Sequence, residues 1–169
     1  MPNGTFISDQ QVEEYLTLLG LAFHPGRHPS TWLLPFHDPN EGTDTLVIVE
    51  NGQANERFLS VITPSIAMGE AISSAEKALA LANGFIAVAK YVLRDDGTVH
   101  VRSAVLRGED QICPEMLRNA IQVVVMAAKF IRPILQACLR GEDPEKAFEK
   151  RVSEVTGPGF QIGPPRGGR

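Results

Sequence analysis

SSAEKALALANGFIAVAKYVLRDDGTVHVRSAVLR, residues 73–107, contains the change of period that decides the class of fold. Ser73 and Glu76 have the spacing of a capping box, and Ala75, Ala78, Leu79 and Ala82 then recur at helical intervals. Asn83-Gly84 tolerates positive φ and is the expected stop. From Phe85 the period changes. Phe85 to Arg94 and Thr98 to Arg107 read as two strands around Asp95-Asp96-Gly97, a strong short-hairpin signal. A helix followed by an antiparallel hairpin points to an α+β chain rather than to alternating parallel units.

The segments on either side extend that reading. Thr31 to His37 alternates Trp32, Leu34 and Phe36 on one face. Thr45 to Glu50 and Arg57 to Thr63 are apolar enough to be covered on more than one face, and turn formers join all three as a meander. Ahead of them, Ser8 and Gln11 form a capping box for a short helix with Val12, Tyr15, Leu16 and Leu19 on one side and Gly20 at its end. The loop Phe23 to Pro29 has too much proline and glycine for a continuous element. Beyond the hairpin, Pro114-Glu115 opens the longest helix, whose apolar stripe reaches Cys138, and Pro133 is expected to kink or interrupt it. Asp143-Pro144-Glu145 starts a last helix through about Val155. The expected architecture is an antiparallel sheet of about five strands with the order α-β-β-β-α-β-β-α(-α). Residues 1–156 form one domain, and 157–169 a Gly/Pro-rich flexible tail.

Composition excludes several classes. The chain has 169 residues and a formal net charge of -4, which argues against coating nucleic acid or anionic lipid. No window approaches a run of about 20 apolar residues, and the N-terminus lacks the order of a secretory signal, so the expected location is the cytoplasm. Residues 1–100 carry roughly seven more acidic than basic side chains, which would steer a basic or mixed partner toward that half.

The chemistry-bearing residues are scattered. His24 and His28 are four apart, but Pro25 and Gly26 keep them off one helical face, and His37 and His100 read as polar surface. No metal or cofactor set is expected. Asp95-Asp96 and Glu109-Asp110 are explained by turns. There is no phosphate-binding glycine loop and no nucleophile elbow, so the chain is not expected to be an enzyme. Cys113 stands before Pro114 at a helix start, where it reads first as an N-cap and second as a possible redox thiol. Cys138 belongs to an apolar stripe.

The order of elements resembles the type III secretion chaperone-like fold, and within it the YbjN-like group of bacterial proteins loosely described as sensory transduction regulators. The resemblance rests on Leu18-Leu19-Gly20, the strand with Trp32, the helix Ala78 to Asn83, the hairpin Leu93 to Val99 and Cys113-Pro114-Glu115. It implies a homodimer that holds a client polypeptide on apolar surface, without nucleotide hydrolysis. The alanine-rich second helix, the fourth helix and the tail depart from that pattern. Small side chains permit close packing, so Ala75, Ala78, Leu79, Ala82, Phe85, Ala87, Ala89 and Tyr91 are the expected dimer or client interface. The alternative is a small-ligand or redox-responsive regulatory domain with a pocket between the sheet and the long helix. Neither membrane nor nucleic acid is an expected partner.

Overall fold

Ser8 caps the first helix as its spacing predicts. Its Oγ accepts from the Gln11 N–H at 3.2 Å, and the Gln11 side chain accepts from the Ser8 N–H at 2.9 Å. The computed structural model describes residues 7–39, 42–52, 58–106 and 112–157. After α1 (Asp9–Leu18) come β1 (His24–Pro25), β2 (Thr31–Asp38), β3 (Thr43–Asn51) and β4 (Phe58–Ala67). A 3-10 turn (Gly69–Ala71) leads into α2 (Ile72–Phe85), β5 (Lys90–Leu93), β6 (Thr98–Leu106), α3 (Pro114–Leu139) and α4 (Pro144–Thr156). The strands form one antiparallel sheet in the order β1-β2-β3-β4-β6-β5. The sixth strand, β1, pairs only two residues with β2 and is too short to carry a period in the sequence.

Alternation along the strands sets the two faces of the sheet. Trp32, Leu34, Val47, Val49, Val61, Val99 and Val101 are buried on one face, against the apolar side of α3. Across that layer, α4 packs on α2 and α3, while α1 meets α3, where the Tyr15 hydroxyl donates to the Ile112 carbonyl at 2.9 Å.

Two local readings change. Ser73 and Glu76 do not cap α2: its N-cap is Ala71, without a side-chain hydrogen bond. The 3-10 turn runs straight into the helix, so no extended residue precedes Ser73 to act as a cap. The helix also passes through Asn83-Gly84 to Phe85, with no positive φ at Gly84, and β5 consequently begins at Lys90 rather than Phe85. The hairpin turn itself is as expected. Gly97 has φ 78°, and the Thr98 N–H donates to the Asp96 carboxylate at 2.9 Å, which holds that carboxyl below its ordinary pKa.

Two prolines occupy positions where the backbone needs a donor. Pro133 lies inside α3 on an exposed position without ending it. It cannot donate to the carbonyl four residues earlier, and that Lys129 oxygen accepts from Arg151 Nη2 of α4 at 3.2 Å instead. Pro64 lies in the central strand β4. The β3–β4 register runs from Asn51↔Leu59 to Ile48↔Ile62, and two residues further on Pro64 would face Leu46. Pro64 has no N–H to give, and the Leu46 carbonyl accepts from the buried Thr63 hydroxyl at 2.6 Å. A register shift follows between Pro64 and Ala67.

Candidate protein-binding surface

The residues expected at an interface do not lie on one open surface. α2 packs on α3, α4 and β5 and buries Ala75, Ala78, Leu79 and Ala82. Ala89 and Tyr91 are buried as well, the Tyr91 hydroxyl donating to the Ala127 carbonyl of α3 at 3.0 Å. The close approach that alanine permits is thus made within the chain. Phe85, at 37% exposure, and Ala87 remain accessible, beside Val88 at 66%. Phe85 also stacks on Phe130 with ring centroids 5.7 Å apart and meets the edge of Phe148 at 5.8 Å. One turn before Phe130, Met126 is 71% exposed. The aromatic trio joins residues from three helices, so no single periodic stripe could have identified it.

The other face of the sheet carries a second apolar surface. Register aligns Leu33, Ile48 and Ile62 side by side across β2, β3 and β4, and the row continues into Arg102 and Lys90 on β6 and β5. Leu46 and Val92 lie one step along on the same face. Leu33, Ile48 and Val92 are half-buried and Leu46 is exposed, whereas Ile62 is buried at 6% exposure. The flanking polar groups are Glu50, His100 and Arg102, and burial pushes the His100 pKa below its ordinary value, so its imidazole is neutral at neutral pH. Two apolar faces on β3 and β4 were legible in the sequence; the cationic end of the row was not, because it depends on the strand order.

Both edges of the sheet are blunted. Gly26 donates to the Thr31 carbonyl at 2.8 Å, so alternate residues of β2 direct their backbone groups toward the β1 side. Pro35 is two steps further along that series and offers no donor beyond the end of β1. At the opposite edge the Asn83 side chain takes the Tyr91 backbone: Tyr91 N–H donates to Oδ1 at 2.8 Å, and Nδ2 donates to the Tyr91 carbonyl at 3.0 Å.

The remaining candidates are separate from these surfaces. Cys113 is the half-buried N-cap of α3, and its side chain makes no capping hydrogen bond. Cys138 is buried, and burial raises its thiol pKa. His37 pairs with Asp44 at 2.8 Å on exposed surface, and His24 and His28 sit around β1. Among the described residues no group of three or more His, Cys, Asp or Glu side chains comes together. A shallow cleft of about 260 Å³ lies between α1 and the β1–β2 connection, lined by Asp9, Glu13, Arg27, His28 and Trp32 among others. The region between sheet and α3, where the alternative reading needs a pocket, is packed with core side chains. α3 is long and apolar enough to cross a membrane by length and composition, but its apolar side is in that core.

No family model matches the chain, and no curated protein matches it in sequence. Solved structures do. YbjN from E. coli aligns over 81% of this chain and 97% of its own with a TM-score of 0.57 and 14% identity. The ExsC–ExsE complex aligns over 75% of this chain and 92% of the matched chain with a TM-score of 0.54 and 13% identity. The HopA1–SchA chaperone–effector complex covers 70% and 88% with a TM-score of 0.50 and 12% identity. The fold of this chain, an antiparallel sheet carrying a long helix, is therefore of the type III secretion chaperone-like kind, similar to YbjN and to the chains matched in the ExsC–ExsE and HopA1–SchA complexes.

Proposed function

We propose that this chain is a non-enzymatic protein-binding module of the cytoplasm, chaperone-like or regulatory, which acts as a homodimer and holds a client polypeptide on apolar surface. The observation that carries the reading is the row on the sheet face opposite the helices, where Leu33 and Ile48 are half-buried beside the buried Ile62 and bordered by exposed Leu46. An apolar row of this kind suits side-chain anchoring of a partner. The blunted edges favour anchoring over strand addition. The fold agrees with this reading, since one similar structure is a chaperone–effector complex. A client segment with apolar anchors and an acidic flank would match the row, because Arg102 and Lys90 continue it. This differs from the basic or mixed client suggested by the acidic first half of the sequence. For the dimer contact, the exposed remainder of the expected interface, Phe85 and Ala87, together with the neighbouring exposed Val88, is the candidate.

Affinity capture from the native cell with mass spectrometry tests the client reading, using the wild type beside Ile48→Glu. A stoichiometric partner retained by the wild type and lost by the variant supports it; absence of any recurrent partner overturns it. Light scattering at micromolar concentration tests the dimer, and a strict monomer removes that part of the reading.

A further inference from the structure

In an asparagine followed by glycine the next backbone nitrogen attacks the side-chain amide most readily, because glycine puts no Cβ in its way. The chain contains this pair at 3–4, outside the described residues, at 51–52 and at 83–84. The two described pairs have opposite settings. Gly84 is inside α2, so its nitrogen is fixed in the helical ladder, and the Asn83 amide is held by the Tyr91 backbone at 2.8 and 3.0 Å. Asn51 is the last residue of β3, and Gly52 lies beyond it in no regular element. What holds Asn51 is its half-buried side chain, whose Nδ2 donates to the Ile7 carbonyl at 3.0 Å and to the Asp9 carboxylate at 2.8 Å.

Those bonds are part of a junction between α1, β2 and β3. Asp9 is the first residue of α1, and its second oxygen accepts from the Ser30 hydroxyl at 2.7 Å, while the Asn51 N–H donates to the Ser30 carbonyl at 2.9 Å. We propose that Asn51-Gly52 is a site of spontaneous deamidation gated by this junction, and that its product frees α1 from the sheet. When the junction opens, the Gly52 nitrogen bonds to Cγ of Asn51 and the Cγ–Nδ2 bond breaks. Ammonia leaves, carrying the proton from the Gly52 nitrogen, and solvent water opens the cyclic imide to aspartate or isoaspartate without any oxidant or reductant. Either product puts a carboxylate where Asp9 and the Ile7 carbonyl need a donor, so a like-charge contact replaces two hydrogen bonds and the opening becomes permanent. Val12 and Leu16 of α1 are fully buried, and its release uncovers them. This inference concerns the α1 junction and does not rest on the proposed client binding or dimer.

The test is peptide mapping by mass spectrometry of the full chain, incubated at mildly alkaline pH both folded and in urea. In urea the two asparagines precede the same residue and should react at similar rates. In the folded protein Asn83 should react at least roughly tenfold more slowly than Asn51, because its site opens only with α2 and β5. Asp9→Ala removes a charge-assisted bond from the junction and should speed the Asn51 reaction roughly tenfold while leaving Asn83 unchanged, with circular dichroism checking the fold. Asn51→Asp imitates the product and should raise amide exchange in α1. Adding Asp9→Asn to it puts a donor opposite the new carboxylate and should return α1 to wild-type exchange. If Asn51→Asp alone does not fold, recovery of the folded chain by the pair supports the release, and no recovery overturns it. Equal rates at Asn51 and Asn83 in the folded protein overturn the inference, as does unchanged α1 exchange in Asn51→Asp.

Discussion

Replacing Thr63 with valine keeps the shape of a fully buried side chain and removes the hydroxyl that donates to the Leu46 carbonyl at 2.6 Å and, more weakly, to the Pro64 carbonyl at 3.4 Å. The carbonyl is then left without the donor that Pro64 also cannot supply. An unsatisfied buried acceptor costs about 1–3 kcal/mol, so Thr63→Val should lower the unfolding free energy by about 2 kcal/mol. For a chain of this size that corresponds to a melting temperature lower by roughly 4–8 °C. Pro64→Ala restores a backbone N–H at the position facing Leu46, and in that background the same Thr63→Val change should cost less than about 1 kcal/mol. Urea unfolding of the four proteins, with m-values compared, measures the coupling. Equal cost in both backgrounds would refute the assignment of Thr63 as the donor that substitutes for proline.

The second proline offers a parallel case: Arg151→Met should destabilise by about 1 kcal/mol and by less in a Pro133→Ala background, as read by the same denaturant series. Tyr91→Phe removes the hydrogen bond to Ala127 and should cost about 1 kcal/mol. Burial raises the Tyr91 phenol above its ordinary 10.0, so its contribution is fully present below pH 10 and is lost as pH rises beyond it, when the unfolded chain gives up the proton first. Stability measured above pH 10 should therefore fall less steeply in Tyr91→Phe than in the wild type. In a thiol titration of the native protein, half-buried Cys113 should react and buried Cys138 should not, two thiols appearing only after denaturation. Labelling of Cys113 no faster than in the denatured chain would remove a redox role. Asp143→Ala deletes the cap that accepts from the Lys146 N–H at 3.0 Å and should cost about 1 kcal/mol in thermal unfolding.

The helices and strands were largely legible because each carries its own period. The Ser8 box, the Gly97 turn and the Asp143 cap are local signals, and each forms where its residues predict. The failures are cases where a distant part of the chain decides. Ser73 lost its capping role to the preceding 3-10 turn, and the Asn83-Gly84 stop was overridden once Asn83 found the Tyr91 backbone. The alanine stripe of α2 signalled close packing correctly, but nothing in its spacing says whether the neighbour belongs to the same chain. The apolar row on the open sheet face is a product of register, and register between β4 and β6 joins residues separated by α2 and β5. The described residues end at 157, so the expected tail lies outside them, apart from Gly157, whose φ is 80°.

The way Pro64 interrupts the sheet has a mechanical consequence. Among the described residues, β2 with β3 and β4 with β6 each pair eight residues, whereas β3 and β4 pair four, from Ile48↔Ile62 to Asn51↔Leu59. The sheet thus consists of two stiff panels joined by a half-length seam, and the Leu33, Ile48, Ile62 row crosses that seam. Small changes in the angle between the panels would alter the curvature under a bound segment while leaving each panel's ladder intact. A surface built this way adapts its shape to what lies on it at little cost in hydrogen bonds.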